Sequence, residues 1–227
     1  SLARRFIELP GEKRRLFLAA LREENVDFAQ FPIVAVPGHA ERDRLSYAQQ
    51  RMWFLWQLEP QSAAYNLPSA VRLLGPLNRQ ALERSFQALV QRHESLRTTF
   101  TQRDEVAYQQ VAEHAQLPVT FTDLSHLAEA DKPARTQQEV AREAAQPFDL
   151  ERGPLLRVQL LRLAAEEHVL LLTMHHIIAD GWSMNILIQE FMRGYDALAT
   201  GQTLSAPALT VQYRDYGLWQ RSWLVAG

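Results

Sequence analysis

The chain has 227 residues, 47% of them hydrophobic, and a formal net charge of −2. That length suits one large domain or two small ones, the composition is enough for a sizeable core, and the near-neutral charge offers no long-range attraction to nucleic acid or anionic lipid. The absence of cysteine excludes a disulfide scaffold, thiolate chemistry and Cys-ligated zinc. No apolar run approaches the ~20 residues that span a bilayer, and Arg4 and Arg5 are not followed by the apolar core of a signal peptide. A soluble, cytoplasmic protein is the expectation.

Residues 1–30 read as helical, with Leu2, Phe6, Ile7 and Leu9 before a break at Pro10-Gly11 and then Leu16, Phe17, Ala20 and Leu21 on one face. Phe31 to Arg44, with two prolines and a glycine, reads as a linker, so that 1–44 is a helical connector or a flange packed on the next domain. Ser46 caps a helix to Leu58 dense in aromatic residues, a pattern that usually marks core. Ala64 to Leu74 reads as a strand with Pro68 near one edge, and Asn78 caps a helix to about His93.

Strands are expected near 97–103 and 106–112 around an Arg103-Asp104-Glu105 turn, and a short one from Val119 to Phe121. Thr136 to Ala145 is helical. Leu155–Leu163 and His168–Met174, joined by Ala164-Ala165-Glu166-Glu167, read as a β-hairpin whose second strand is apolar enough to be buried on both faces. Asn185 to Leu198 has helical spacing and Gly201 to Pro207 reads as a loop.

The chemistry concentrates between Thr173 and Met184, in the string Thr-Met-His-His-Ile-Ile-Ala-Asp-Gly-Trp-Ser-Met. Two histidines stand where a buried strand ends, and an acid and a glycine occupy the turn into a helix. Imidazole is the side chain best poised for proton transfer near neutrality. Successive side chains of a strand point to opposite faces, so one of His175 and His176 should face a cleft and the other should be structural. Asp180 is close enough in sequence to buttress the turn, and the Gly181 N–H is a candidate oxyanion donor. Two His and an Asp suit several metals, but adjacent histidines on a strand diverge and no third nitrogen or sulfur ligand is near.

The string His175-His176-x-x-x-Asp180-Gly181, continued by Trp182-Ser183, resembles the active-site motif of non-ribosomal peptide synthetase condensation domains, within the chloramphenicol acetyltransferase-like superfamily. Three more strings resemble signatures of that family: Ser46-Tyr47-Ala48-Gln49-Gln50-Arg51-Met52-Trp53-Phe54-Leu55, Arg92-His93-Glu94-Ser95-Leu96-Arg97-Thr98-Thr99-Phe100, and Tyr213-Arg214-Asp215-Tyr216-Gly217-Leu218-Trp219. The last departs mildly, with Gly217 where the family usually has alanine. Together they span Ser46 to Trp219, and the signatures of a second half are missing.

The resemblance implies an α/β fold (an α+β sandwich): a chloramphenicol-acetyltransferase-like lobe with a mixed β-sheet flanked by helices. It divides the chain into a 1–44 helical inter-module linker and a 45–227 N-terminal lobe whose C-terminal partner lobe is absent. The implied reaction joins thioesters held on phosphopantetheine arms of donor and acceptor peptidyl carrier domains, beside an adenylation domain. No cofactor is bound by the chain itself, and neither nucleic acid nor membrane is a partner.

By the same resemblance His176 is the catalytic residue, a general base or a positioner of the attacking amine, whose ammonium form titrates at about 8. His175 orients, Asp180 is structural, the Gly181 N–H meets the oxyanion, and Trp182 and Ser183 complete the turn. One of Arg92 and Arg97 pairs with Asp180, and His93 shares in that support. Rival readings are an epimerisation domain, which shares the His-His-x-x-x-Asp-Gly string, and a non-catalytic lobe that docks a carrier. A cyclisation domain is disfavoured, because it typically begins this motif with aspartate.

Overall fold

The structure, a computed structural model, describes residues 1–179 and 181–224, and for residues 181 and 182 the backbone alone. In chain order the elements are α1 (Leu2–Glu8), α2 (Gly11–Glu23), α3 (Tyr47–Leu58), β1 (Asn66–Leu74), α4 (Arg79–Arg92), β2 (Thr98–Arg103), β3 (Val106–Val111), β4 (Val119–Asp123), α5 (Lys132–Ala145), β5 (Leu156–Ala164), β6 (Glu167–His175), α6 (Gly181–Ala199) and α7 (Tyr213–Leu224). They fall into two compact units. One comprises Ser1–Arg51, Phe100–Gln110 and Ala208–Gly227, the other Met52–Thr99 and Val111–Pro207.

In the first unit, Phe6, Ile7, Leu18, Phe28, Val36, Leu218 and Trp219 form one buried cluster. The apolar faces read in the first 30 residues therefore close on α7. The Phe6 and Phe28 rings lie 4.2 Å apart, and Phe28 stacks on Trp219 at 6.3 Å. Arg42, in the stretch read as a linker, pairs with the fully buried Asp215 at 2.8 Å, and that carboxylate also accepts from the Gln212 N–H. α3 opens on a capping box: Ser46 Oγ accepts from the Gln49 N–H while Gln49 Oε1 accepts from the Ser46 N–H.

The β2–β3 hairpin turns at Asp104 and Glu105, both at positive φ (49° and 64°). These are the left-handed angles a two-residue hairpin turn needs, reached here without glycine.

The second unit is built on a four-stranded sheet in the order β1-β6-β5-β4. β6 runs antiparallel to both β1 and β5, and β4 is parallel to β5. Pro68 is tolerated because β1 is an edge strand. Alternation divides the sheet's two faces. Leu161, Leu163, Val169 and Leu171 pack with Val140 of α5. Val158, Leu160, Leu170, Leu172 and Met174 point the other way and are as deeply buried. Arg79 of α4 reaches over the Phe121 ring of β4 at 4.5 Å.

Helices α4 and α6 pack against each other, with Phe86 stacked on Phe191 at 4.3 Å and Ser85 Oγ donating to the Phe191 carbonyl at 3.0 Å. Gly194 makes this approach possible: a Cβ there would stand 2.8 Å from Ser85 Oγ.

The aromatic-rich α3 departs from the expectation of core. Trp53 is buried, but Phe54 and Leu58 are 58% and 62% exposed. The helix buries one stripe and leaves the other half of its apolar residues to solvent.

Candidate active site

The candidate site is the end of β6, where the two motif histidines stand. This strand is hydrogen-bonded on both sides and buried along nearly its whole length, so its last residues are held as firmly as the core. The His175 N–H donates to the Leu155 carbonyl at 3.1 Å and the His176 N–H to the Tyr65 carbonyl at 2.9 Å. Both backbone positions are therefore fixed by neighbours on either flank, and the chain then turns through an Ile178 N–H bond to the His175 carbonyl.

The two imidazoles part here as strand alternation requires. His175 is 4% exposed. Its Nδ1 accepts the Ile177 N–H at 3.0 Å, which fixes the neutral tautomer with the proton on Nε2. The edge of Phe148 meets it at 6.0 Å and 85°, and Phe148 is backed by the Arg157 guanidinium at 3.8 Å. Loss of hydration and then the neighbouring His176 push the His175 imidazole down to about 4, so it stays neutral at pH 7.

His176 is exposed. Of the pair, it is the one open to solvent. A pocket of about 220 Å³ lies beside His175, walled by Trp56, Leu58, Glu59 and Tyr65.

Gly181 is the first residue of α6, so its N–H lies outside the intrahelical ladder. Ser183 is half-buried in the same first turn. Asp180 lies outside the described residues, as do the side chain of Trp182 and the predicted pairing of Asp180 with an arginine.

What the two arginines do bond is visible. Arg97 donates to the carbonyls of Val90, Gln91 and Ala112, three acceptors near the end of α4. Arg92 pairs with Glu190 of α6 at 2.6 Å and also donates to the Pro207 carbonyl.

Glu190 is the residue that sequence reasoning missed. Its other oxygen lies 2.7 Å from His93 Nε2. Burial alone would raise the Glu190 carboxyl, but the hydrogen bonds from His93 and Arg92 outweigh it and hold it below its ordinary value. A signal was present: Arg92 and His93 are adjacent hydrogen-bond donors, and Glu190 is the one acid between Ser183 and Tyr195. Through this clamp the end of α4 grips the helix that starts at the motif turn.

A sequence model described as "Condensation domain" matches residues 40–225. The chain belongs to the condensation domain family. It is 48% identical over 210 residues to a linear gramicidin synthase of Brevibacillus parabrevis, covering 91% of this chain and 3% of that one. Among solved structures it resembles the X-domain of teicoplanin biosynthesis, determined in complex with OxyB, at a TM-score of 0.72 and 32% identity over 86% of this chain and 41% of that one. It also resembles the starter condensation domain of rhizomide synthetase RzmA, at a TM-score of 0.68 and 27% identity over 73% and 40%.

The mixed sheet with packed helices is thus the fold of condensation domains of non-ribosomal peptide synthetases, as the motifs imply, and this chain spans well under half of such a solved domain. Among the described residues no helix is long and apolar enough to cross a membrane.

Proposed function

We propose that this condensation-domain fragment is the N-terminal lobe, with residues 1–44 as inter-module linker, of a domain that forms an amide between two carrier-tethered thioesters. Donor and acceptor carrier domains present their aminoacyl or peptidyl groups on phosphopantetheine arms, an adenylation domain stands alongside, and the setting is the cytoplasm. The chain itself binds no cofactor.

The observation that carries this reading is the pair of histidines. One is buried, neutral and hydrogen-bonded to the turn. The next is exposed, its N–H held by the Tyr65 carbonyl. A reactive imidazole needs that combination of a fixed base and a free ring.

In the proposed reaction the neutral acceptor amine attacks the donor thioester carbonyl, and the new C–N bond gives a tetrahedral intermediate whose nitrogen passes one proton to His176. That intermediate then breaks its C–S bond to leave the amide, and His176 returns the proton to the sulfur, which departs as the thiol. The Gly181 N–H stabilises the tetrahedral oxyanion. His175 orients the turn, Asp180, Trp182 and Ser183 shape it, Arg92 supports it through Glu190, and Arg97 holds the end of α4. The 227-residue fragment alone is inactive on this reading, because half the cleft is missing.

The likeness to the teicoplanin X-domain, solved with OxyB bound, favours a second reading: a docking lobe that turns nothing over. The test extends the chain through its second lobe, mixes it with loaded donor and acceptor carriers, and weighs the acceptor carrier. Transfer of the donor acyl group onto the acceptor supports condensation. Carrier binding without transfer supports docking, and an inverted α-carbon without transfer makes it an epimerase.

A further inference from the structure

In the first unit, well outside the histidine motif in sequence, a pocket of about 440 Å³ opens between α2, the 39–44 segment and α7. Arg14, Arg15, Arg44 and Arg221 line it, with Glu41 as the one acid among the described lining residues. Four guanidinium groups thus face one pocket with a single carboxylate among its described lining residues.

Arg221 spends its N–H groups on the carbonyls of Glu41, Arg44 and Leu45. Arg44 meets Glu41 at 2.9 Å, and Arg14 has a long bond of 3.4 Å to the Ser222 carbonyl. The Nε atoms of both Arg14 and Arg44 are buried with no hydrogen-bond partner. Burial and then the adjacent Arg44 push the Arg221 guanidinium down to about 10, so it remains charged at neutrality.

His39 lines the same pocket. Its Nδ1 accepts the Glu41 N–H at 3.1 Å, which leaves Nε2 as a donor. The guanidiniums and His39 Nε2 make the pocket rich in donors, which suits an acceptor with several oxygens.

We propose that this pocket binds a phosphate group carried on an organic molecule. A phosphate offers more acceptor oxygens than a carboxylate and matches the fork of several guanidiniums. The volume leaves room beyond the anion for an organic body, for which Tyr47 and Leu218 supply apolar wall. The inference stands apart from the condensation chemistry proposed above, since no residue of the pocket belongs to the histidine motif.

The test is a titration of the 227-residue chain followed by arginine Nε–H and backbone amide NMR, with pantetheine 4′-phosphate, adenosine monophosphate, inorganic phosphate and phosphate-free pantetheine as probes. Saturable shifts at Arg14, Arg44 and His39 with a phosphate ester, absent with pantetheine, are expected. At least one ester should bind more tightly than inorganic phosphate, and inorganic phosphate matching both esters would overturn the organic part of the proposal. Arg14→Gln should weaken binding about tenfold or more, the worth of one charge-assisted hydrogen bond, with an unchanged melting curve. Should that variant unfold, Arg15→Gln, at an exposed position, serves instead. Equal binding of pantetheine with and without its phosphate, or no saturable shift with any probe, would overturn the proposal.

Discussion

The strand end that carries the histidines and the arginine pocket of the first unit both strip water from ionisable side chains, with opposite results. At His175 burial pushes the group down to about 4 and the charge disappears at neutral pH. At Arg221 burial pushes it to about 10 and the charge survives. The difference lies in how far each group starts from neutrality. A buried imidazole becomes a quiet hydrogen-bonding part and leaves the chemistry to its exposed neighbour. A buried guanidinium cannot be silenced, and it binds carbonyls or calls for an anion.

The largest expected effect tests the quiet side. Unfolded, His175 takes up a proton below about pH 6.5; folded, it resists until about 4. Across that window the unfolded state binds more protons, so stability falls as pH drops, by roughly 3 kcal/mol, and the residue adds no slope above the window. Urea unfolding at several pH values should show wild type losing that much more than His175→Gln. Equal slopes would break the contrast between the two regions.

Next is Arg221→Gln, which deprives the Glu41, Arg44 and Leu45 carbonyls of a charged donor. A loss of about 2–3 kcal/mol is expected from denaturant midpoints, and no loss would mean the guanidinium was free to serve a ligand instead. Glu190→Ala leaves Arg92 and His93 without their shared carboxylate. Because these side chains are partly solvated, about 2 kcal/mol is expected, and a double-mutant cycle with Arg92→Ala should recover part of it. The smallest effect is Ser46→Ala, about 1 kcal/mol through the lost cap of α3.

Much of the fold was legible wherever a local rule decides it. The β5–β6 hairpin follows from two apolar runs around a polar turn, the α4 start from Asn78, whose side chain accepts from Ala81, and the edge position of β1 from Pro68. The divergence of His175 and His176 follows from strand alternation alone. What alternation does not say is which of them is buried, because that depends on Phe148 and Trp56 arriving from distant segments.

Long-range partners were the illegible part. The helical stripe of residues 1–30 marks a face but not that α7 covers it. The parallel placing of β4 on β5 has no local signature. The motif points one of Arg92 and Arg97 at Asp180 without saying which, and nothing local points to Glu190, ten residues further on in a helix, with which Arg92 also pairs. Arg14, Arg44 and Arg221 gather in one pocket from positions no spacing rule connects.

The division of labour between the two histidines is best tested by one paired experiment on the two-lobed protein: amide formation and thermal unfolding measured together for His176→Ala and His175→Ala. His176→Ala should lose about 10² or more in rate while melting like wild type, and His175→Ala should melt early. A full rate from His176→Ala would contradict the assignment and move the chemistry to the oxyanion donors of the turn.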